Sequence, residues 1–327
     1  MIGRKIIKFL VVILSILCIA FSIAFLSRNL YSEYSFTSPI SEKYINDFLS
    51  QSDSIEIIFV GDMMLDRNVR NIINRDGFDS YFIGIKGIIE DVDIAIANLE
   101  GPFTMNESLT ASLINKTLQF TFDPALASKL DEIGFDILGL GNNHSMNFGR
   151  EGLISTKKYI EKAGMLYYGD PNNDENISVI IEKNNIKLAF VGFHEFTYIN
   201  FDKIFKEIER LRNEVDIVIV TPHWGVEYEK SPTDKMRKWA YDFIDSGADM
   251  VIGTHTHVIG DKEEYKGKKI YYSLGNFAFD QYFSEDTMNG LALKIKIKKD
   301  YKDNNLDLEY TEIPIRVDSK GISVIYN

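Results

Sequence analysis

The sequence predicts a layered α/β domain. Two observations carry this. Short apolar, β-branched runs alternate with helix-patterned stretches from about residue 55 onward, and most of these runs are near-continuously apolar, as strands buried on both faces are. A third observation modifies it: the last third of the chain ("LALKIKIKK", "LDLEYTEIPIRV", "ISVIYN") alternates with period two, as half-exposed antiparallel strands do.

The apolar runs come in order as "IEIIFVGD", "VDIAIANLEG", "FDILGLGNNH", "IKLAFVGFHE", "VDIVIVTPHWG", "ADMVIGTHTH" and "KKIYYSLGNF". Helices are expected between them at residues 67–75, 124–133, 149–163, 203–212 and 233–246. Gly134, Gly164 and Gly247 fit the position just past a helix end. No linker composition interrupts residues 55–327, so these form one domain.

Upstream, residues 9–26 are uncharged and mostly apolar. As a helix they would span about 27 Å, close to a bilayer core. Arg4, Lys5 and Lys8 precede the run, which orients residues 1–8 to the cytoplasm and everything after the span to the outside. The expectation is a single-pass anchor in the cell membrane, a stalk over residues 27–54 and an extracellular domain over 55–327. A cleaved signal peptide is the rival reading, but no clear small-x-small cleavage site follows the run. Cys18 is the only cysteine and lies in the apolar segment, so the outer domain has no disulfide.

The chain has 36 Lys and Arg against 48 Asp and Glu, a net charge of −12. The first 30 residues hold four bases and no acid, so the remainder carries −16. That composition argues against nucleic acid, which wants a basic face. An anionic substrate held through a metal stays open.

All five histidines (His144, His194, His223, His255 and His257) fall at or just after the end of an expected strand. So do Asp62, Asn98, Glu100, Asn142, Asn143 and Asn276. In open α/β folds ligands bind outside the carboxyl ends of strands. Imidazole, carboxylate and amide oxygen together form a ligand set for a divalent ion, and no thiolate is at hand for a structural zinc knuckle. Each residue also has a plainer reading. Asp62 and Asn142 could cap turns, Glu100 could be a solvated loop acid, and His223 beside Trp224 could be a packed core histidine. His194 reads best as structural. His255 and His257 alternate, so on an extended segment both would face one side of the sheet.

The motifs "FVGDMMLDR", "ANLEGPFT", "GLGNNHSMNFGREGL", "TPHWGVEY", "GADMVIGTHTHVIG" and "YSLGNFAFDQ" together resemble the CapA/PgsA family of capsule biosynthesis proteins, whose domain is similar to calcineurin-like metallophosphoesterases. The resemblance runs from about Ile55 to Gln281. It implies a two-sheet β-sandwich flanked by helices (α/β/β/α), with a site at the strand ends. By position it implies metal ligands at Asp62, Glu100, Asn143, His223, His255 and His257, with His144 as general acid and Asn143 beside it in catalysis. Asn98, Asn142, Trp224 and Asn276 are expected to contact substrate. Asp62-Met63-Met64 stands where the related enzymes carry Asp-x-His, so Met64 replaces the histidine, and Asn147 stands in place of an acid. A thioether does not replace imidazole for such an ion.

The expectation is therefore about one zinc, manganese or iron ion per chain, on Glu100, Asn143, His223 and His255. A second subsite, of Asp62, Glu100 and His257, would be weak or empty, and Met64→His should raise its occupancy. The implied role is in making or exporting a polyglutamate-like anionic polymer beside membrane-embedded synthase subunits. The alternatives are a non-catalytic polymer-binding or synthase-partner module and an extracellular metallophosphoesterase.

Overall fold

A computed structural model describes residues 53–111, 117–173, 175–197, 199–300 and 305–325. The expected anchor and all but the end of the stalk lie outside the described residues. Among the described residues no helix is long and apolar enough to cross a membrane. Asp53–Asn327 forms one compact unit.

Its strands are β1 (Asp53–Met63), β2 (Ile94–Leu99), β3 (Ile137–Gly139), β4 (Leu166–Tyr168), β5 (Ser178–Lys183), β6 (Ile186–His194), β7 (Ile217–His223), β8 (Met250–Ile252), β9 (Lys262–Tyr265), β10 (Lys268–Tyr271), β11 (Asn276–Ala278), β12 (Asn289–Lys299), β13 (Leu306–Asp318) and β14 (Gly321–Val324). The helices are α1 (Arg67–Asp76), α2 (Phe78–Phe82), α3 (Lys86–Glu90), α4 (Ala125–Glu132), α5 (Gly149–Ala163), α6 (Phe201–Arg212), α7 (Asp234–Asp245) and α8 (Glu285–Met288).

Two sheets result. The first runs β14-β13-β12-β1-β2-β3-β4, with β11 also on β1; the second runs β5-β6-β7-β8-β10-β9. Between them lies an apolar layer that includes Ile57, Phe59 and Ile96 from one sheet and Leu188, Phe190 and Ile219 from the other. The outer face of the first sheet is covered by α1 to α5, through residues such as Val69, Phe82, Leu130 and Ile160. The outer face of the second is covered by α6 and α7, through Ile204, Ile208, Ala240 and Phe243. The architecture is the expected two-sheet sandwich between helices.

Local chemistry sets the boundaries. Thr233 caps α7 by accepting from Met236 N at 3.2 Å, and Asn200 caps α6 through Lys203 N. Gly164 ends α5 at φ +96°, a left-handed conformation that suits glycine. The period-two segments form the β12–β13–β14 meander. Strand β1 begins at Asp53, two residues inside the expected stalk, because Asp53 and Ser54 pair with Lys299 and Lys298 of β12.

Two departures matter for the site. Asn276 does not end the strand near Tyr272; it opens β11, which crosses to the first sheet and pairs in parallel with β1. There a Cβ on Gly61 would lie 1.8 Å from Gly275 O, so only glycine lets the two chains meet beside Asp62. His255 and His257 are not on a strand either. Strand β8 stops at Ile252, and the two histidines turn out of it at φ +96° and +59°. Their shared orientation comes from a left-handed turn rather than from strand alternation.

A candidate metal centre at the strand ends

The C-terminal ends of β1, β2, β3 and β7 and the turn after β8 deliver Asp62, Asn98, Glu100, Asn143, His144, His223, His255 and His257 to one place. Asp62 lies at its centre and is fully buried. Its Oδ1 accepts from Asn98 Nδ2 at 2.8 Å, and its Oδ2 accepts from the backbone N of His255 at 3.0 Å. His257 Nδ1 lies 3.2 Å from Oδ2, and His223 Nδ1 lies 3.8 Å from Oδ1. The ring centroids of His223 and His255 are 4.7 Å apart, and those of His255 and His257 are 5.9 Å apart.

Two clusters of donor atoms flank Asp62. In one, Asp62, Glu100 and His257 each bring a ligand atom within 4.8 Å of the others. Both Glu100 oxygens are buried with no hydrogen-bond partner. His144 Nε2 lies 3.7 Å and His257 Nε2 3.9 Å from its Oε1. A buried carboxylate without donors is costly, and a cation is the partner such a group lacks. Burial, and then the Asp62 and Glu227 charges, push the Glu100 carboxyl well above the usual range.

In the other cluster, His223 Nε2 lies 2.9 Å from Asn143 Oδ1 and 3.1 Å from His255 Nδ1. Neighbouring ligands around an ion bound at about 2.1 Å stand roughly 3.0–3.4 Å apart, so this spacing suits one. Burial drives His223 well below the ordinary histidine range, with the His255 charge adding to it. Burial and His257 bring His255 down to about 3. Both rings are thus neutral, the form that ligates metals. The residues present fit a divalent ion in both clusters.

The amides hold this arrangement. Asn276 Nδ2 donates to the Thr287 carbonyl (2.9 Å) and to Gln281 Oε1 (3.0 Å), which turns Oδ1 toward His257 Nδ1 at 3.0 Å. His257 Nδ1 therefore carries the hydrogen, and Nε2 presents its lone pair toward Glu100. Asn142 Nδ2 donates to Leu99 O and Asn98 Oδ1, while its Oδ1 accepts from the backbone N of His144 and of Ser145. Asn98, so fixed, turns Nδ2 to Asp62 and to His223 Nδ1.

Asn142 and Asn276 are fully buried and bonded within the protein, so they position site residues and leave no face for substrate. Trp224 is also a correction. It is fully buried, donates Nε1–H to Tyr272 O at 3.0 Å and stacks on Tyr272 and Phe243. It anchors the second sheet to α7 and does not face the site. Met64 is buried among the apolar residues of the first sheet's outer face, and its sulfur accepts from Asp66 N at 3.1 Å. His194 is held at the carbonyl of Pro171 at 2.5 Å and exchanges backbone hydrogen bonds with the Asn173 side chain, a structural role.

Several contributors were not singled out by sequence. Thr254 Oγ1 bonds His223 Nδ1 at 2.9 Å, and Gln281 completes the chain behind His257. Aromatic rings wall the histidines: Phe120 on His144 at 4.4 Å, Phe196 on His255 at 4.3 Å and Phe279 on His257 at 4.7 Å. Gln281 and Phe279 lie in a quoted motif, which was the available signal. Nothing local marks Phe120 or Phe196.

Comparison with known proteins agrees with this geometry in one respect, the family. A capsule biosynthesis protein CapA of Bacillus anthracis is 29% identical over 251 residues, 71% of this chain and 61% of the relative, so the chain spans less than two thirds of that protein. A PGA biosynthesis protein CapA of Bacillus subtilis (strain 168) is 29% identical over 304 residues, 86% of this chain and 78% of the relative. A crystal structure of a hypothetical protein from Thermus thermophilus covers 79% of this chain and 99% of its own, at 19% identity and a TM-score of 0.50, and shows likeness of fold alone. The model of the bacterial capsule synthesis protein family PGA_cap matches residues 56–281, which include all the residues of both donor clusters, and the chain belongs to that family.

Proposed function

We propose that this chain works at the cell surface in the making or export of a polyglutamate-like capsule polymer, and that its strand-end centre holds a divalent metal through which the polymer is engaged. The names of the two Bacillus relatives support the polymer class. The observation that carries the metal is Glu100, a fully buried carboxylate with neither oxygen hydrogen-bonded. Asp62, Glu100 and His257 would hold one ion, and Asn143, His223 and His255 the neighbouring position. Zinc, manganese and iron suit imidazole with oxygen donors. The apolar run at residues 9–26 would anchor the domain outside the membrane, beside the membrane-embedded synthase.

A bound ion would neutralise the polymer's carboxylates and polarise its amide carbonyl. The chain's own residues define the proton chemistry. His144 sits at the edge of the centre, its side chain 12% exposed. Its Nδ1 is 3.1 Å from Asn147 Oδ1, which also accepts from Phe120 N at 2.7 Å and so is fixed as an acceptor. The hydrogen shared with Asn147 is then on Nδ1, and Nε2 faces Glu100 at 3.7 Å. Burial lowers the His144 pKa, against the Asn147 bond, so the ring is neutral near pH 7 and suited to act as a base.

A non-catalytic polymer-binding role is the second reading. Met64 favours it, since a buried thioether stands where the related enzymes carry an imidazole. Purified full-length protein incubated with a γ-linked glutamate oligomer and manganese or zinc separates the two. Cleavage or transfer lost in His144→Ala supports the enzyme; metal-dependent binding without turnover supports the binder; no interaction at all removes both.

A further inference from the structure

His257 and His223 meet one requirement in different ways. A neutral imidazole that ligates through one nitrogen carries its hydrogen on the other, and that hydrogen needs an acceptor. For His257 the acceptor is Asn276 Oδ1, 3.0 Å from Nδ1 and held there by the two bonds that Asn276 Nδ2 donates. A fixed acceptor keeps the hydrogen on Nδ1 and leaves Nε2 ready to ligate.

His223 is placed differently. Its Nε2 faces the second donor cluster, with Asn143 Oδ1 at 2.9 Å and His255 Nδ1 at 3.1 Å. Its Nδ1 faces Thr254 Oγ1 at 2.9 Å and Asn98 Nδ2 at 3.2 Å. The Asn98 amide cannot turn round. Its Oδ1 accepts from Asn142 Nδ2 at 3.0 Å, and its Nδ2 donates to Asp62 Oδ1 at 2.8 Å. Asn98 therefore presents an N–H to His223 Nδ1, and Nδ1 accepts it. Burial keeps this ring neutral, so its one hydrogen stands on Nε2, where Asn143 Oδ1 and His255 Nδ1 can both accept it.

To ligate through Nε2, the ring has to carry that hydrogen on Nδ1 instead. Asn98 then faces it with a donor, and Asp62 Oδ1, at 3.8 Å, is beyond hydrogen-bond reach. Thr254 is the neighbour that can reverse. A hydroxyl donates or accepts as it rotates, which an amide held at both ends cannot do. The Thr254 backbone is pinned to β7: its N donates to Pro222 O at 3.0 Å, and its O accepts from Trp224 N at 3.3 Å. Oγ1 can thus stay beside His223 while its hydrogen turns. Thr254, His223, Asn98 and Thr221 line a cavity of about 20 Å³, room for one water molecule to accept the hydrogen turned away from the ring.

We propose that Thr254 is a positioning residue for metal binding: its hydroxyl donates to His223 Nδ1 while Nε2 carries the hydrogen, and accepts from Nδ1 when Nε2 ligates. This rests on the metal reading above. The hydroxyl lets His223 exchange tautomers without a buried N–H being left unpaired, a cost that Asn276 spares His257 by holding one tautomer throughout.

The test is zinc binding by the full-length protein, read by chelator competition, with melting temperatures and the imidazole nitrogen spectrum of histidine-labelled protein. Thr254→Val replaces the hydroxyl with a methyl of similar shape and leaves Nδ1 its Asn98 donor, so the chelated variant should melt close to chelated wild type. It should weaken zinc at the Asn143–His223–His255 position about 10- to 100-fold, the effect expected when a metal-bound histidine loses its outer partner. Thr254→Ser keeps the hydroxyl and should recover most of that loss. In wild type the His223 hydrogen should stand on Nε2 after chelation and on Nδ1 with zinc bound. Thr254→Val that binds zinc as wild type does, or Thr254→Ser that binds it as weakly as Thr254→Val, overturns the role of the hydroxyl and leaves the metal reading standing. If chelated Thr254→Val is itself unstable, the wild-type spectrum decides alone: a hydrogen on Nδ1 before zinc is added, or still on Nε2 afterwards, overturns the exchange. Wild type that binds no zinc ends the metal reading and this inference with it.

Discussion

Asn147 Oδ1 lies 3.1 Å from His144 Nδ1 and accepts the hydrogen of that nitrogen. Since the same oxygen accepts the Phe120 N–H, it offers His144 only an acceptor, and His144 Nε2 lies 3.7 Å from Glu100. A carboxylate at position 147 would favour the imidazolium as well as the tautomer. Asn147→Asp should therefore raise the His144 pKa, and Asn147→Ala should free the tautomer. Imidazole nitrogen shifts in an NMR titration report both.

Glu100 gives a stability prediction. Its folded carboxyl is held well above the ordinary 4.5, so the protein is stabilised below that pH and loses stability as pH rises toward the folded value. In metal-free protein, Glu100→Gln should match wild type near pH 4 and exceed it by about 1–3 kcal/mol near neutrality. The same variant should lose the melting shift that manganese or zinc confers. Calorimetry at the two pH values checks both halves.

Asp66 behaves oppositely. Burial opposes its charge, but Ser108 Oγ (2.5 Å), Thr121 N (2.9 Å) and Arg70 Nε (2.8 Å) outweigh it and hold the carboxyl below the ordinary 3.8. Its contribution is present above 3.8 and fades as pH falls through the folded value. Asp66→Asn should cost about 2–4 kcal/mol at pH 7, because it strands buried donors, and the gap to wild type should close in acid. Denaturant titration at pH 7 and pH 3 measures it.

Trp224 separates core from site. Trp224→Ala should cost about 3–5 kcal/mol. Trp224→Phe should be milder and should leave metal affinity and oligomer binding unchanged, since the ring faces Tyr272 and Phe243. Loss of oligomer affinity in a stable Trp224→Phe protein would return Trp224 to the site.

The sequence carried the layered fold well, because hydrophobic period and glycine placement are local signals. Residues 149–163 were expected as a helix and form α5 with those bounds. It also carried the convergence of Asp62, Glu100 and the histidines, since strand ends can be read one run at a time. The roles of the amides were hidden. Whether Asn142 or Asn276 faces substrate or bonds within the protein depends on partners such as Leu99 O and Thr287 O. The positive φ of His255 and His257 was hidden too: "THTH" looks extended, and only tertiary contacts such as the His255 N–Asp62 bond make it turn. Trp224 beside His223 read as a site residue because neighbours on a strand face opposite sides, which chain position alone does not assign to core or pocket.

The central claim is that the strand-end centre is a metal site, and metal content with thermal stability tests it most directly. Full-length protein purified without chelator should carry about one tightly held zinc, manganese or iron ion per chain by elemental analysis, with a second that binds weakly. Chelation should lower the melting temperature, and re-addition of the ion should restore it, since a ligand that binds only the folded state stabilises it by mass action. Glu100→Gln and His255→Ala should each lose the tight ion while remaining folded. Wild-type protein that holds no metal, and whose melting neither zinc nor manganese shifts, would contradict the account.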